Sequence, residues 1–211
     1  MRQHEVDRTG ATGSTGLEIV RQAIERGHSV ATFVRSPERL KPFRHHIAIS
    51  QGDLLNAAEL ASVIKGQEAV LSAFGPRVPT AKADANLLQQ FAVALTSAMV
   101  IAAVKRVVVE SVAFLFKDAI MPPAYLLGRL FFSSLVADAS AMEQVFEQSG
   151  LDWTIARPPK LTNKPYTGNY RSREEHLPPL GFSISRADVA DFMIKAAENH
   201  SSIGKIVGLC N

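Results

Sequence analysis

Three glycines spaced three apart, Gly10, Gly13 and Gly16, enclose Thr12, Ser14 and Thr15 in the segment Gly10-Ala11-Thr12-Gly13-Ser14-Thr15-Gly16. Glycine permits a tight turn and close approach of bare backbone. A helix starting there aims unpaired N–H groups and the positive end of its dipole at one point. A pyrophosphate fits such a point, so the segment reads as the phosphate loop of a dinucleotide site. Glycines at this spacing also serve any tight turn, and the flanking residues must decide. Arg35, with Ser36 next and Arg39 one helical turn on, closes the β-rich run that follows. An acidic residue at that strand end would accept from a ribose 2′-OH, whereas a cation accommodates a 2′-phosphate. NADP(H) is therefore expected in preference to NAD(H). The competing reading leaves Arg35 and Arg39 as solvated charges.

The loop needs a strand before it and a helix after it. Leu17, Val20, Ala23 and Ile24 recur at helical spacing and the pattern stops at Gly27, a natural C-terminal glycine. Ser29 to Val34 is the second strand, Ile47 to Ser50 a short third, Ala57 to Ile64 a helix closing at Gly66, and Ala69 to Phe74 a strand ending at Gly75-Pro76. A helix from about Ala83 to Val104 is apolar nearly all round, which predicts burial on several sides. Arg106 to Glu110 is a near-continuous apolar run of the parallel-sheet type. Ala139 to Gln148 reads as a helix, Trp153 to Arg157 as a strand stopped by Pro158-Pro159, Ser185 to Ala197 as a helix and Lys205 to Leu209 as a last strand.

This alternation predicts an α/β fold, a Rossmann-like, doubly wound parallel sheet with helices on both faces, in a single domain over 1–211. Ligands in that architecture sit at the carboxyl ends of the strands, which singles out Gly10 to Gly16, Arg35, Asp53, Phe74 to Arg77 and Ser111. One stretch conflicts with the scheme. The first strand, Gln3 to Thr9, has only Val6 as an apolar residue, and burying its charges unpaired costs several kcal/mol each. Either the strand is short and its end frays or this is an atypical start, and weak order before Thr9 is the expectation.

Composition excludes several classes. The 211 residues are 46% hydrophobic and 20% charged, enough for one sizeable core, and the net charge of +3 comes from scattered cations without a stripe that would track nucleic acid. The single cysteine, Cys210, forms no intrachain disulfide, and His4 and His45-His46 do not converge with carboxylates at metal spacing, so no metal site is expected. Lys105, Arg106, Lys117 and Arg129 interrupt the apolar stretches before they reach the length of a membrane span, and no signal peptide is evident. These readings point to a cytoplasmic protein without nucleic-acid or membrane partners.

Gly10 to Gly16, Gly52-Asp53-Leu54, Arg106 to Val109, Ser149 to Ile155, Arg157-Pro158-Pro159 and Ser185 to Ala190 together resemble the atypical short-chain dehydrogenases/reductases. The likeness is to the NAD(P)H-binding branch similar to biliverdin reductase B (flavin reductase) and to NmrA-like proteins. It spans nearly the whole chain. It implies NADP across Gly10 to Gly16, Arg35 near the 2′-phosphate, Asp53 and Leu54 at the adenine, and Phe74-Gly75-Pro76 beside the nicotinamide ribose, with Pro158 in the cofactor-binding set. It also implies that Ser111 is the active-site serine, donating to a substrate carbonyl or ring nitrogen.

Two departures stand out. The Tyr-x-x-x-Lys pair of the larger superfamily is missing; Tyr125 to Arg129 imitates it with arginine. Lys160 stands where the biliverdin-reductase-like pattern has histidine, and it either holds an anionic or carbonyl substrate or is a loop lysine. Solvent is then the simplest proton source. Phe114, Leu115, Phe116, Tyr125, Leu126, Phe131 and Phe132 either wall a pocket for a flat acceptor, in segments about 112–136 and 158–184, or belong to the core or a dimer face. The expected function is NADPH-dependent reduction of a flavin, quinone or similar small-molecule acceptor by a monomer or homodimer. The alternative is an NmrA-like NADP(H) sensor without turnover. A sugar or isoprenoid epimerase is a third class that the missing tyrosine disfavours.

Overall fold

A computed structural model describes residues 13–75, 86–116 and 133–211 together with the backbone of 5–9. Apolar β-branched runs form the sheet centre: β2 (Ser29–Val34), β4 (Ala69–Ser72) and β5 (Arg106–Glu110) are almost wholly buried. With β1 (Glu5–Thr9), β3 (Ala48–Gln51), β6 (Asp152–Arg157), β8 (Arg171–Glu174) and β10 (Lys205–Cys210) they make one eight-stranded sheet of order β3-β2-β1-β4-β5-β6-β10-β8. All neighbours run parallel except β8, antiparallel to β10. The order reverses between β1 and β4, which opens a crevice at the carboxyl ends there. A small parallel pair, β7 (Lys160–Thr162) with β9 (Ser183–Ser185), stands apart.

Side-chain alternation divides the interior in two. Val107 and Val109 of β5 pack with Phe91, Leu95 and Met99 of α3 (Leu87–Ala102) and with Met142 and Phe146 of α4 (Ser133–Glu147), beside α2 (Ala57–Ile64). Val108 points the other way, to Ile19 and Ala23 of α1 (Ser14–Glu25) and Val189 and Met193 of α5 (Arg186–Glu198). The predicted α/β sheet with helices on both faces is thus present. The α1 helix ends before Gly27, whose φ of +80 suits glycine. The α3 helix packs against both α2 and α4 yet leaves Val93, Val100 and Ile101 exposed, so its apolar surface is not wholly buried. The α4 helix begins six residues before the predicted Ala139. Asp138 in its early part explains the extension, because its carboxylate accepts from Leu88 and Gln89 N–H at 2.9 and 3.0 Å and caps α3, which lacks a local side-chain cap.

The expected weak start is corrected for the backbone. Val6 lies level with Val30 and Ala69, and Thr9 with Phe33 and Ser72, so the strand pairs on both sides from Val6 to Thr9. Without it, the facing edges of β2 and β4 would be left unpaired in the middle of the sheet. The sequence reading also missed β7, β8 and β9, which are three or four residues long and, in β8, wholly exposed.

Asp188 ties the carboxyl-terminal parts together. It is fully buried and accepts from Thr167 N and Oγ1, Gly168 N, Ser185 Oγ and Asn211 Nδ2, all at 2.8–2.9 Å. Burial alone would raise its pKa; these hydrogen bonds outweigh burial and hold it below the usual carboxylate value. Asp191, one turn on, is also buried and takes Arg26 from α1, Lys195 at 2.8 Å and Tyr170 at 2.8 Å.

A carboxylate with a lowered folded-state pKa contributes stability that is present above its unfolded value, about 4, and lost as pH falls through the lowered one. Urea midpoints should therefore fall as pH drops below about 4, and Asp188→Asn should cost about 1–3 kcal/mol at neutral pH and flatten that dependence. The register sets Asp7 beside Ala31 and the buried Val70, where a parallel ladder suits a β-branched apolar residue. Asp7→Val should raise the calorimetric midpoint by roughly 2–4 °C per kcal/mol gained; a lowered midpoint would contradict a central position for this strand.

Candidate active site

A cleft of about 930 Å³ opens at the carboxyl ends of β2, β4 and β5, at the point where the strand order reverses. Its phosphate end is the start of α1. Gly13 is the N-cap with extended backbone, no side chain among the described residues caps the helix, and the first turn holds no acidic residue. The orphan N–H groups and the dipole are thus left for an anion. Arg35, Ser36 and Arg39 line the rim after β2, with the Arg35 guanidinium 5.9 Å from the centre of the Phe74 ring. Leu54 and Phe74 are buried along the same wall, and Phe74 stacks at 4.4 Å on Phe91. Gly52 must be glycine, since a Cβ there would lie 2.5 Å from the Phe33 ring and 2.3 Å from Glu59.

The far end of the cleft is chemically mixed. Ser111 N–H donates to Ala156 O at 2.7 Å, which fixes the backbone just past β5. Ser111 Oγ donates to buried Glu143 Oε1 at 2.5 Å, and Glu143 pairs with Arg157, whose Nε lies 3.0 Å away. The Arg157 guanidinium in turn sits 4.6 Å over the Phe116 ring. The hydroxyl proton is therefore committed to a carboxylate, and Ser111 offers lone pairs to the cleft. That arrangement differs from the donating serine expected from sequence. Glu110 lies beside Ser111, accepting from Thr15 Oγ1 at 3.4 Å. Burial pushes its pKa up to about 7, with Thr15 and Arg186 opposing. Arg186 starts α5, lines the cleft and donates to Asn163 Oδ1 at 2.7 Å. Val112, Leu135, Met142 and Leu161 add apolar wall.

The fold brings together Gly13, Ser14, Thr15, Arg35, Arg39, Leu54, Phe74, Gly75 and Ser111. Gly16 is buried within α1 and outside the lining. Asp53 is exposed and outside the lining, its carboxylate closing a turn onto Leu55 N–H at 3.0 Å. Pro158 is buried and accepts from Ala113 N–H, and Lys160 is exposed at the start of β7; Leu161, not Lys160, borders the cleft. Phe116 packs with Ala113 and Leu177 instead of lining the pocket. Gly10, Thr12, Pro76, Tyr125, Leu126, Phe131 and Phe132 lie outside the described residues.

Sequence reasoning missed Glu110, Glu143, Arg157 and Arg186 as site residues. Glu110 carried a usable signal, as an acid closing an apolar parallel strand at the end where ligands bind. Glu143 carried none, because a helical glutamate reads as solvated until a partner is known. Among the described residues, no three His, Cys, Asp or Glu side chains converge as metal ligands, and no helix is long and apolar enough to cross a membrane.

A family model described as NAD(P)H-binding matches residues 10–200. An uncharacterized chloroplastic protein of Arabidopsis thaliana is 35% identical over 207 residues, 94% of this chain and 73% of its own. A wide-type short-chain dehydrogenase/reductase of Veillonella parvula, solved in complex with NADP, superposes with a TM-score of 0.83 at 16% identity, over 100% of this chain and 95% of that one. ChuY, an anaerobilin reductase of Escherichia coli O157:H7, does so with a TM-score of 0.80 at 18% identity, over 98% and 96%. At these identities the two structures are alike in fold. The family model covers most of the sequence, and the chain belongs to this NAD(P)H-binding family.

Proposed function

We propose that the cleft binds NADP(H) in preference to NAD(H) and reduces a planar conjugated acceptor, such as a flavin or quinone. The observation that carries the cofactor half is the pairing of an uncapped α1 start with Arg35 and Arg39 on the rim after β2. The first suits the pyrophosphate and the second a 2′-phosphate. The NADP held by the Veillonella protein and the reductase activity named for ChuY support the same reading.

Bound in this way, the dinucleotide supplies a hydride to the acceptor. The chain's own residues bind, orient and exclude water. Val112, Leu135 and Met142 give a flat molecule an apolar wall to lie against. Ser111, with its proton held by Glu143, accepts a hydrogen bond from an acceptor that carries an N–H, as a flavin ring does and a simple quinone does not, and so fixes the orientation of such an acceptor. Lys160, exposed outside the lining, is left with no more than an outer role in steering anionic acceptors.

Fluorescence titration with NADPH and NADH tests the cofactor preference. The double substitution of Arg35 and Arg39 by alanine should weaken NADPH about tenfold or more, the loss of one charge-assisted contact or two, and leave NADH nearly unchanged. Equal losses for both would refute the 2′-phosphate role. Ser111→Ala should lower kcat/KM across an acceptor panel without altering NADPH affinity. A protein that binds NADPH yet oxidises it with no acceptor would favour the redox sensor over the reductase.

A further inference from the structure

We infer that the carboxyl group of Glu110 is the proton donor of this site, delivering a proton to the acceptor heteroatom as the acceptor is reduced. The inference rests on the reductase reading above. Reducing a quinone or a flavin takes two electrons and two hydrogens. The electrons and one hydrogen come from NADPH as hydride, so one proton must come from elsewhere. In the step assigned to Glu110, its O–H bond breaks and a bond from that proton to the acceptor oxygen or ring nitrogen forms. The acceptor is reduced, NADPH is oxidised, and the carboxylate left behind regains a proton from water.

Elimination among the cleft residues leads to this group. The ionisable side chains that line the cleft, among the described residues, are Arg35, Arg39, Glu110 and Arg186. Guanidinium groups keep their protons at any working pH. Ser111 has already directed its proton to Glu143, which is itself neutralised by Arg157, and Lys160 does not border the cleft. Solvent was the expected source, but Glu110 lines the same cleft as Ser111 and is the one carboxyl that does so among the described residues.

The surroundings of Glu110 keep it able to hold a proton. Among the described residues, the groups acting on it are the Thr15 hydroxyl of α1, at 3.4 Å, and the Arg186 charge of α5; on β6 its register partner is the apolar Ala156. Among the described residues it has one long hydrogen bond, little compensation for an anion with sites for about four. Burial therefore dominates, and with a pKa of about 7 the group is half protonated at neutral pH, where a general acid works best. The donor Thr15 sits in the first turn of α1, so acid and phosphate loop are joined in one contact.

The test pairs Glu110→Gln with a measurement that needs no turnover. Difference infrared spectra of wild type against Glu110→Gln should show a carboxylic acid C=O band that disappears with a midpoint near pH 7. NADPH titration of both proteins checks that the variant is folded and binds. In wild type, log kcat/KM should fall above about pH 7, because the acid must be protonated. Glu110→Gln should lose that limb and about 100-fold or more in kcat. A reductase whose rate and pH limb survive in Glu110→Gln, or a band titrating in the ordinary carboxylate range, overturns the acid role alone. A band near pH 7 in a protein that binds NADPH but reduces no acceptor overturns the reductase reading, and the acid role with it.

Discussion

Strand β5 is buried on both faces, and this constraint decides where chemistry can reside. Val107, Val108 and Val109 alternate between two apolar cores, so a charge within the run would have no partner on either side. Polar groups are displaced to its ends. At the start, buried Arg106 donates to Asp152 O, Thr154 Oγ1 and Ala196 O at 2.5–2.7 Å, fastening β6 and the last turn of α5 to the sheet. At the other end Glu110 and Ser111 emerge together into the cleft. One end holds the layers together, and the other is free to meet a ligand.

Buried carboxylates finish what the apolar layers leave undone. Asp138 joins α4 to α3, Asp188 gathers the 167–168 turn, β9 and Asn211 around the start of α5, and Asp191 binds α1 to α5 through Arg26. Each accepts at both carboxylate oxygens, and such partners are the condition for a buried anion to help the fold instead of harming it. Glu143 follows the same rule with Arg157, but its other partner is Ser111 at the cleft. A packing contact and a binding contact thus share one carboxylate.

Much of the fold was legible in the sequence because it follows from periodicity and punctuation. The glycine after α1, the β-branched run of β5 and the alternation of strands with helices come from local rules. The first strand was not legible, since its residues argue against a central position that pairing with β2 and β4 requires. The polar β8 and the three-residue β7 and β9 exist only through tertiary pairing, which a local pattern does not encode. Half of the cleft was read from its motif, Gly13 to Thr15 with Arg35 and Arg39. The other half depends on residues far apart in sequence, such as Ser111 with Glu143 and Glu110 with Thr15. Asp53 and Lys160 were placed by resemblance and stand aside from the lining, because a turn and a small separate sheet carry them outward.

The open start of α1 has a consequence for the life of the protein in a cell. A helix whose N-cap is a glycine, with no side chain to bond its first N–H groups, lacks about 1 kcal/mol of ordinary end stabilisation, and here it follows a strand of unusually polar sequence. An anion seated there supplies the missing partners only to the folded chain, so by mass action the folded population grows with its concentration. Abundance and resistance to proteolysis would then track the nicotinamide nucleotide supply, making the chain's own turnover a record of the cell's metabolic state.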